Sequence, residues 1–184
     1  MKSILTSERL ILKELGAEGA EAVLLFWQRN HSYLEQWEKI KEPEFYTLSY
    51  QQALLEEEVN DIRNGHLCKW WIFRADDPER VIGSIALSNI VRGVFLSCHL
   101  GYRMDQNEQN NGYMTEAVRK VADYAFHELG LHRIEANIMP RNEGSFRVVE
   151  KCGFYQEGLA LKYLFINGIW EDHIHMVLRN EAME

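Results

Sequence analysis

Hydrophobic residues in the first part of the chain predict a strand followed by a helix. Residues 9–13 form a short apolar run that is typical of a strand, and Gly16 ends it. From Ala17 the apolar residues fall at the spacing i, i+3, i+4 and i+7, which places them on one face of a helix. These residues are Ala20, Val23, Leu24 and Trp27. A shorter helical piece that carries Tyr33, Leu34 and Trp37 is expected to follow.

A second helix is predicted to begin at Ser49. Gln52 lies three residues further on and would complete a capping box, and Gly65 provides the stop. The predicted buried stripe of this helix consists of Leu55, Val59 and Ile62.

Between Cys68 and Arg103 the sequence becomes rich in β-branched and aromatic residues. Three strands are predicted there, at residues 68–75, 81–90 and 94–103. The turn signals between them are residues 76–79 and Arg92-Gly93. This part of the chain is therefore expected to form an antiparallel meander.

The second half of the chain alternates between helical and strand patterns. Residues 112–129 predict a long helix that Gly130 ends, and residues 133–139 alternate as a strand does. Asn142 is expected to cap a short helix that Gly153 closes. Two strands at residues 154–163 and 169–178 follow, joined by a hairpin turn at Asn167-Gly168. The order β-α-α-β-β-β-α-β-α-β-β predicts an α+β, or mixed α/β, fold around one sheet.

Length and composition favour one domain over residues 1–184. The chain has 184 residues, of which 46% are hydrophobic and 26% charged, so it can bury one core and does not resemble a disordered protein. Its net charge of −8 disfavours binding to nucleic acid or to anionic membranes and favours cationic partners such as amines.

The start of the chain has no apolar signal core, and no apolar run approaches the length of a membrane span, so we expect a cytoplasmic protein. Cys68, Cys98 and Cys152 lie far apart and form no CxxC pair, which disfavours a disulfide framework or a zinc site. His173 and His175 share one strand face, but no third ligand has suitable spacing, so no metal is expected.

The candidate chemistry begins at residues 109–115, between a strand and the long helix. The first amides of a helix lack intrahelical partners and carry partial positive charge, so they can hold a phosphate or pyrophosphate. Gly112 has no Cβ and would let a phosphate oxygen approach the chain closely. The structural alternative is an ordinary turn with a cap. A P-loop and a dinucleotide-binding Rossmann site are both disfavoured, because neither GxxxxGK[ST] nor GxGxxG occurs.

A second stretch begins at Asn142, a natural N-cap, with Ser145 at the third position of the same helix. Taken alone, it is equally consistent with a capped helix and nothing more.

Together the two stretches resemble the GNAT superfamily of acetyl-CoA-dependent N-acetyltransferases, and within it the branch that acetylates the N-termini of ribosomal proteins. The first family motif is Gln/Arg-x-x-Gly-x-Gly/Ala. Gln109 and Gly112 match it, and Met114 replaces the last small residue. The resemblance covers essentially the whole chain in order, through residues 7–10, residues 113–117, Asn142 with Ser145, Gly153-Phe154, Glu157-Gly158, and Asn167-Gly168 with Asp172.

The resemblance implies a GNAT-type fold with one mostly antiparallel sheet, splayed middle strands and flanking helices. It implies acetyl-CoA as co-substrate, with the pyrophosphate on the loop amides, the pantetheine arm between the two splayed strands and Asn142 hydrogen-bonded to that arm. The implied cofactor-binding residues are Tyr102, Arg103, Met104, Gln109, Asn110, Asn111, Gly112, Tyr113, Met114 and Asn142.

Attack of an amine on a thioester needs a proton acceptor and a protonated leaving thiol. Many relatives place a Glu where this chain has His99, a residue suited to base chemistry. Glu157, in the Glu-Gly pair of the ribosomal branch, is the rival base. Many relatives have a Tyr that acts as the general acid where this chain has Val149. Ser145 is therefore the candidate proton donor near the CoA sulfur. Each of these residues also has a purely structural alternative, as a surface, core or salt-bridged side chain.

The main functional hypothesis is therefore acetyl transfer to the α-amine of a protein or peptide N-terminus. The resemblance leaves open a small amine, such as a polyamine or an antibiotic, as the acceptor, and it leaves a homodimer open. Two alternatives from other classes are a module that binds acyl-CoA without turnover and a structural domain without CoA affinity.

Overall fold

The computed structural model describes residues 4–184, which contain eight strands and four α-helices. In chain order they are β1 (Ile4–Thr6), β2 (Leu10–Lys13), α1 (Ala20–Leu34), α2 (Leu48–Arg63), β3 (Cys68–Arg74), β4 (Asp77–Val91), β5 (Ser97–Met104), α3 (Tyr113–His127), β6 (Arg133–Ile138), α4 (Glu143–Lys151), β7 (Tyr155–Ile166) and β8 (Ile169–Arg179). Residues 1–3 lie outside the described range. They belong to the predicted domain and to the start of the chain, for which no signal core was predicted.

All eight strands form one sheet in the order β1-β2-β3-β4-β5-β6-β8-β7. Every neighbouring pair is antiparallel except β5 and β6, which run parallel. The α3 crossover makes this parallel pair feasible, because parallel strands need a long connection. The predicted mixed α/β class with a mostly antiparallel sheet is confirmed.

Helices cover both faces of the sheet. On one face, α3 and α4 bury an apolar cluster that includes Val118, Val121, Ile134 and Val149. On the other face, α1 and α2 pack with strand residues in a second cluster around Phe26 and Trp71. Alternation along β5 and β6 therefore sends consecutive side chains to different helical layers. Below, the two sides are called the α3 face and the α1 face.

Several predicted element bounds need correction. β1 lies before the predicted first strand and was not expected, and Tyr33 and Leu34 end α1 rather than starting a new helix. Trp37 lies in the turn after α1. The second meander strand already begins at Asp77, because the preceding turn needs only two residues.

The cap of α2 also differs from the prediction. Thr47, and not Ser49, is the N-cap residue, and its hydroxyl accepts a hydrogen bond from the amide of Tyr50. Both residues are good cap formers, but only Thr47 has the extended backbone that a cap requires, with φ −111° and ψ 150°. Leu55 of the predicted stripe is fully buried, whereas Val59 and Ile62 are only partly covered.

No helix within residues 4–184 is both long enough and apolar enough to cross a membrane.

Close contact between β4 and β5 generates a prediction about stability. A Cβ at Gly83 would lie 2.5 Å from the carbonyl oxygen of Arg103, a backbone atom that cannot move aside cheaply. We expect Gly83→Ala to lower the free energy of unfolding by about 2 kcal/mol, in the range of other overpacked sites. Urea denaturation measures this. The matched control is Gly158→Ala in β7, where an added Cβ meets nothing within 4 Å. Equal losses in the two variants would contradict the close strand contact.

Candidate active site

A cleft opens where the sheet changes to parallel pairing. β5 and β6 pair over only three positions, from Ser97 with Arg133 to His99 with Glu135. Beyond them the strands separate, and a cavity of about 650 Å³ is lined by residues 100–104 on one side and 136–139 on the other. The expected splayed middle strands are therefore present. Separated strand edges leave backbone groups to which an extended amide ligand could bind as another strand would.

The start of α3 forms one end of this cavity. Gly112 is its N-cap, with a φ of 79° that favours glycine, and Asn110 also has a positive φ of 61°. The first intrahelical hydrogen bond runs from the amide of Glu116 to the carbonyl of Gly112, at 3.0 Å. The amides of the three residues between them therefore have no partner within the helix. This is the geometry of an anion site, and Gln109, Gly112, Tyr113 and Met114 all line the cavity.

The chain between β1 and β2 holds this turn from outside. Glu116 accepts hydrogen bonds from the Ser7 hydroxyl (2.7 Å), the Arg9 amide (2.9 Å) and the Arg9 Nε (2.8 Å). Arg9 also donates to the carbonyl of Asn111 at 3.0 Å, and its guanidinium lies 4.7 Å from the ring centre of Tyr113. Burial opposes ionisation of Glu116, but these donors outweigh it and hold its pKa below the ordinary value.

Charged pairs also fix the segment that precedes the turn. Asp105 is fully buried, and its carboxylate lies 2.6 Å from Arg29 Nε and 3.2 Å from Arg80. Glu108 pairs with Arg80 at 3.2 Å. Because removing one partner would leave a buried charge uncompensated, these pairs constrain the approach to the loop.

The start of α4 lies across the cavity. The Asn142 carboxamide oxygen accepts a hydrogen bond from the amide of Ser145 at 3.1 Å, which confirms the predicted cap. The Ser145 hydroxyl donates to the Tyr102 hydroxyl at 2.8 Å, and Tyr102 donates to the Ser145 carbonyl at 3.0 Å. Burial raises the pKa of Tyr102 well above its ordinary value. The cavity therefore contains a pair of hydroxyls that stays neutral at physiological pH.

Further along α4, the cationic residues Arg147 and Lys151 line the same cavity. They are four residues apart and so lie on one side of the helix. The carbonyl of Lys151 accepts a hydrogen bond from Arg119 of α3 at 2.8 Å, which brings this basic side close to the anion site.

The α1 face supplies the opposite wall of the cleft, where Tyr33, Trp37 and Glu38 line the cavity. Arg103 lies 3.0 Å from Glu38 and 5.2 Å from the ring centre of Trp27, so its guanidinium is engaged on this side. Burial opposes ionisation of Glu38, but Arg103 and then Lys41 outweigh it, so that the pKa of Glu38 is lowered. This wall combines aromatic surface with a carboxylate.

The β7–β8 hairpin holds this wall in place. Asn167 donates to the carbonyls of Glu35 (3.0 Å) and Glu38 (3.1 Å) and accepts from the amide of Ile40 (2.8 Å). One turn residue thus fixes the chain that follows α1.

The two predicted bases lie beside the cavity rather than among the residues that line it. His99 is at the closed end of the cleft, with its Nε2 3.5 Å from Glu135. Glu157 is bound by Arg133 at 2.7 and 2.6 Å and accepts from the Tyr155 hydroxyl. Hydrogen bonding by Arg133 is the main reason why the pKa of Glu157 is lowered. A carboxylate held in this way is a weak proton acceptor.

The structure brings most of the predicted site residues into one cavity. Those that line it are Tyr102, Arg103, Met104, Gln109, Asn110, Gly112, Tyr113, Met114, Asn142 and Ser145. Asn111 lies in the same loop but does not line the cavity; its side chain donates to the carbonyl of Glu108 at 3.2 Å.

Sequence reasoning gave no catalytic role to four polar residues of the cleft region, of which it considered His175 only as a metal ligand. Glu135, Asn137, Tyr163 and His175 meet at the closed end, on the α1 face. Strand alternation would have indicated their shared face, but not that β6, β7 and β8 are neighbours. Among the residues that the structure describes, no group of three His, Cys, Asp or Glu side chains could hold a metal ion.

Comparisons with known proteins agree with this geometry. Residues 9–155 match the family model described as an acetyltransferase (GNAT) domain. The chain is 41% identical over 177 residues to the probable N-acetyltransferase YjcK of Bacillus subtilis, covering 96% of this chain and 97% of that protein. It is 34% identical over 171 residues to the ribosomal protein uS5-alanine N-acetyltransferase of Escherichia coli, covering 92% and 87%.

A solved structure extends the likeness to three dimensions. The ribosomal-protein-S5-alanine acetyltransferase from Vibrio fischeri superposes with a TM-score of 0.91 at 31% identity, and the match covers 99% of each chain.

The hydrogen bonds that Glu116 accepts at the start of α3 generate a prediction about stability and pH. We expect Glu116→Gln to lower the free energy of unfolding at neutral pH by about 2 kcal/mol, because a charged acceptor of three hydrogen bonds becomes neutral. Since the pKa of Glu116 lies below its ordinary 4.5, this contribution is complete above that pH and is lost as the pH falls through the lowered pKa. Chemical denaturation of both proteins from pH 7 to pH 3 measures the difference.

The matched control is Glu143→Gln, which removes an exposed carboxylate from the first turn of α4. A difference between wild type and Glu116→Gln that stayed constant down to pH 3 would contradict the ionised state of Glu116.

Proposed function

We propose that this chain, which belongs to the acetyltransferase (GNAT) family, transfers the acetyl group of acetyl-CoA to the N-terminal α-amine of a protein or peptide. As a member of this family the chain is an N-acetyltransferase. The identity of the acceptor amine goes beyond family membership and is proposed. One observation carries the proposal. A single cavity joins an anion-binding helix start, a hydroxyl pair and an aromatic and acidic wall on the far side of the sheet.

The residues of the cleft fit CoA. The partnerless amides at the start of α3 suit the pyrophosphate, with Arg147 and Lys151 close enough to add positive charge. The separated edges of β5 and β6 suit the amides of the pantetheine arm. Asn142 also lines the cavity, and its side-chain oxygen caps α4. Its side-chain NH₂ group could therefore donate a hydrogen bond to the pantetheine arm.

The hydroxyl pair lines the cavity and is the proposed partner of the leaving thiol. When the amine attacks the thioester carbonyl, the carbon–sulfur bond breaks and the sulfur gains negative charge. Ser145 can turn its hydroxyl hydrogen from Tyr102 towards that sulfur and stabilise the thiolate by a hydrogen bond until it takes up a proton released by the amine, while the Tyr102 hydroxyl keeps its hydrogen bond to the Ser145 carbonyl. This role keeps Ser145 as the proposed group near the CoA sulfur and adds Tyr102 to it.

The acceptor would enter from the α1 face. Tyr33 and Trp37 offer flat apolar surfaces, and Glu38 places a carboxylate where a cationic amine approaches. Two of the relatives above are named for acetylating the alanine of a ribosomal protein. The sequence resemblance to that branch includes Ser145 and Glu157-Gly158. We therefore propose a peptide N-terminus, with a small first residue, as the acceptor class. The sequence predicts His99 and Glu157 as proton acceptors, and both lie beside the cavity rather than in its lining.

A panel of amines with detection of free CoA thiol tests the acceptor. We expect turnover with peptides that begin with Ala or Ser and none with the same peptides after the N-terminus is blocked. Each blocked peptide should retain one free lysine. It then serves as the matched control, because it tests whether a side-chain amine is acetylated in place of the α-amine. Turnover confined to spermidine or an aminoglycoside would reject the peptide proposal and favour a small-amine enzyme. CoA binding by calorimetry without any thiol release would reject catalysis.

The hydroxyl pair is tested by Ser145→Ala and Tyr102→Phe. Each variant should lower kcat by about 10- to 100-fold, with little change in the affinity for CoA, because the lost hydrogen bond forms only as the thiolate leaves. The double variant should be little worse than either single one, because the hydroxyls act as a unit. Ser32→Ala, on the exposed side of α1, is the control. Additive losses, or a loss of CoA binding alone, would contradict this role.

A further inference from the structure

The closed end of the cleft carries a polar cluster to which, apart from the predicted base His99, the proposed function gives no role. It consists of His99, Glu135, Asn137, Tyr163 and His175. Glu135 and Asn137 are two apart on β6, so they share the α1 face, opposite the buried Ile134 and Ala136. Asn137 is only two residues beyond the last β5–β6 pair, and it lines the cavity.

Glu135 is the centre of this cluster. Its Oε2 lies 2.8 Å from Arg133, and its Oε1 lies 3.0 Å from His175 Nδ1 and 3.5 Å from His99 Nε2. Burial opposes its ionisation, but the hydrogen bonds from Arg133 and Asn137, and the charges of His175 and His99, outweigh burial and lower the pKa of Glu135. A carboxylate therefore faces both imidazoles.

The two histidines differ in which nitrogen remains free. The Asn89 amide nitrogen lies 3.1 Å from His99 Nδ1, so that nitrogen accepts and the Nε2 hydrogen faces Glu135. His99 thus has both ring nitrogens engaged. His175 has the opposite arrangement. Its Nδ1 hydrogen points to Glu135, and its Nε2 is buried with no hydrogen-bond partner among the described residues. In this tautomer Nε2 carries the lone pair.

The neighbours of His175 connect it to the cleft. Asn137 and His175 are directly opposite each other on β6 and β8. The Asn137 carboxamide oxygen is also buried without a partner, although the residue lines the cavity. The ring of Tyr163 packs edge-on against His175, with 5.1 Å between ring centres, and its hydroxyl lies 3.5 Å from the Asn137 amide nitrogen. The closed end therefore holds two buried acceptor atoms without a partner among the described residues; His175 does not line the cavity itself, but its cross-strand neighbour Asn137 does.

We infer that His175 Nε2 accepts the proton of the incoming amine, that Asn137 Oδ1 binds that amine, and that Glu135 positions the imidazole. This inference rests on acetyl transfer to an amine and adds the residues that receive it. A carboxylate that fixes one histidine tautomer and leaves the other nitrogen free for the substrate is a recurrent arrangement in enzymes.

The proton balance is simple. The acceptor arrives as an ammonium ion and gives one proton to His175 Nε2, which becomes an imidazolium stabilised by the Glu135 carboxylate. The neutral amine forms a bond to the thioester carbon as the carbon–sulfur bond breaks. The second amine proton is lost as the amide forms and is taken up by the departing thiolate, while the imidazolium returns the first proton to solvent, so one proton is released per turnover.

Several titratable and charged groups lie around His175 or are linked to it through Glu135. They are Glu135 and Arg133 from β6, Tyr163 and Glu157 from β7, His173 from β8 and His99 from β5. Arg133 binds both Glu135 and Glu157, so its positive charge is shared between two carboxylates. Protonation of His175 at low pH would remove the free lone pair, so the rate should fall on the acidic side.

The pH dependence of kcat/KM tests the inference. We expect His175→Asn to lower kcat/KM by at least about 10²-fold and to remove the acidic limb of the profile. The matched control is His173→Asn, which changes a histidine on the same strand face that also packs against Tyr163, but whose Nδ1 lies 3.1 Å from the carbonyl of Glu171 instead of a carboxylate. It should keep the limb. A limb that survives in His175→Asn and disappears in His99→Asn would overturn the assignment.

Glu135→Gln tests the positioning role. Loss of the carboxylate removes the stabilisation of the imidazolium, so we expect the acidic limb to move to lower pH while kcat falls more than KM changes. An unmoved limb with altered stability alone would assign Glu135 a purely structural role and overturn this part of the inference.

A measurement without turnover separates this inference from the acceptor proposal. Long-range ¹H–¹⁵N spectra of histidine-labelled wild-type protein, with His175 assigned from the His175→Asn variant, should show its proton on Nδ1 at pH 8. A proton on Nε2 would overturn the inference whatever the acceptor is. If only small amines are acetylated, the peptide proposal fails, and the same pH profiles are measured with the amine that reacts.

Discussion

The early end of pairing between β5 and β6 is the constraint on which the rest of the site depends. These strands share hydrogen bonds over three positions and then separate, within an otherwise continuous eight-stranded sheet. Broken pairing leaves backbone groups to be satisfied, and a ligand with amides along its length can satisfy them. The opening also passes through the sheet, so one cavity is reached by side chains from both helical layers.

Charged pairs and hydrogen bonds hold the ends of this opening. Arg9 and Glu116 connect the first two strands to the start of α3, and buried Asp105 holds the chain just before it through Arg29. On the other side, Asn167 fixes the segment after α1. Buried or half-buried ionic pairs are costly to break on one side only, so they restrict each loop to one position.

The sequence predicts those parts of the site that depend on local backbone chemistry. The caps at Gly112 and Asn142 and the hairpin at Asn167-Gly168 follow from residue types at adjacent positions, and the structure agrees. The cap of α2 was placed at Ser49 because two neighbouring hydroxyl residues give the same signal, and only backbone conformation separates them. The partners of Glu135 could not be predicted, since His99 and His175 reach it from strands distant in sequence.

In the proposed mechanism, the two faces of the sheet also separate the two proton transfers. Tyr102 and Ser145 belong to the α3 face, where Tyr102 packs against the buried core. Glu135 and His175 belong to the α1 face. An amine that enters from the α1 face would lose its proton on one side of the sheet, while the sulfur would gain one on the other. Because the strands between them are the ones that separate, the thioester would lie between a proton acceptor and a proton donor that do not neutralise each other. A sheet that remained paired along β5 and β6 would place a continuous backbone between these groups.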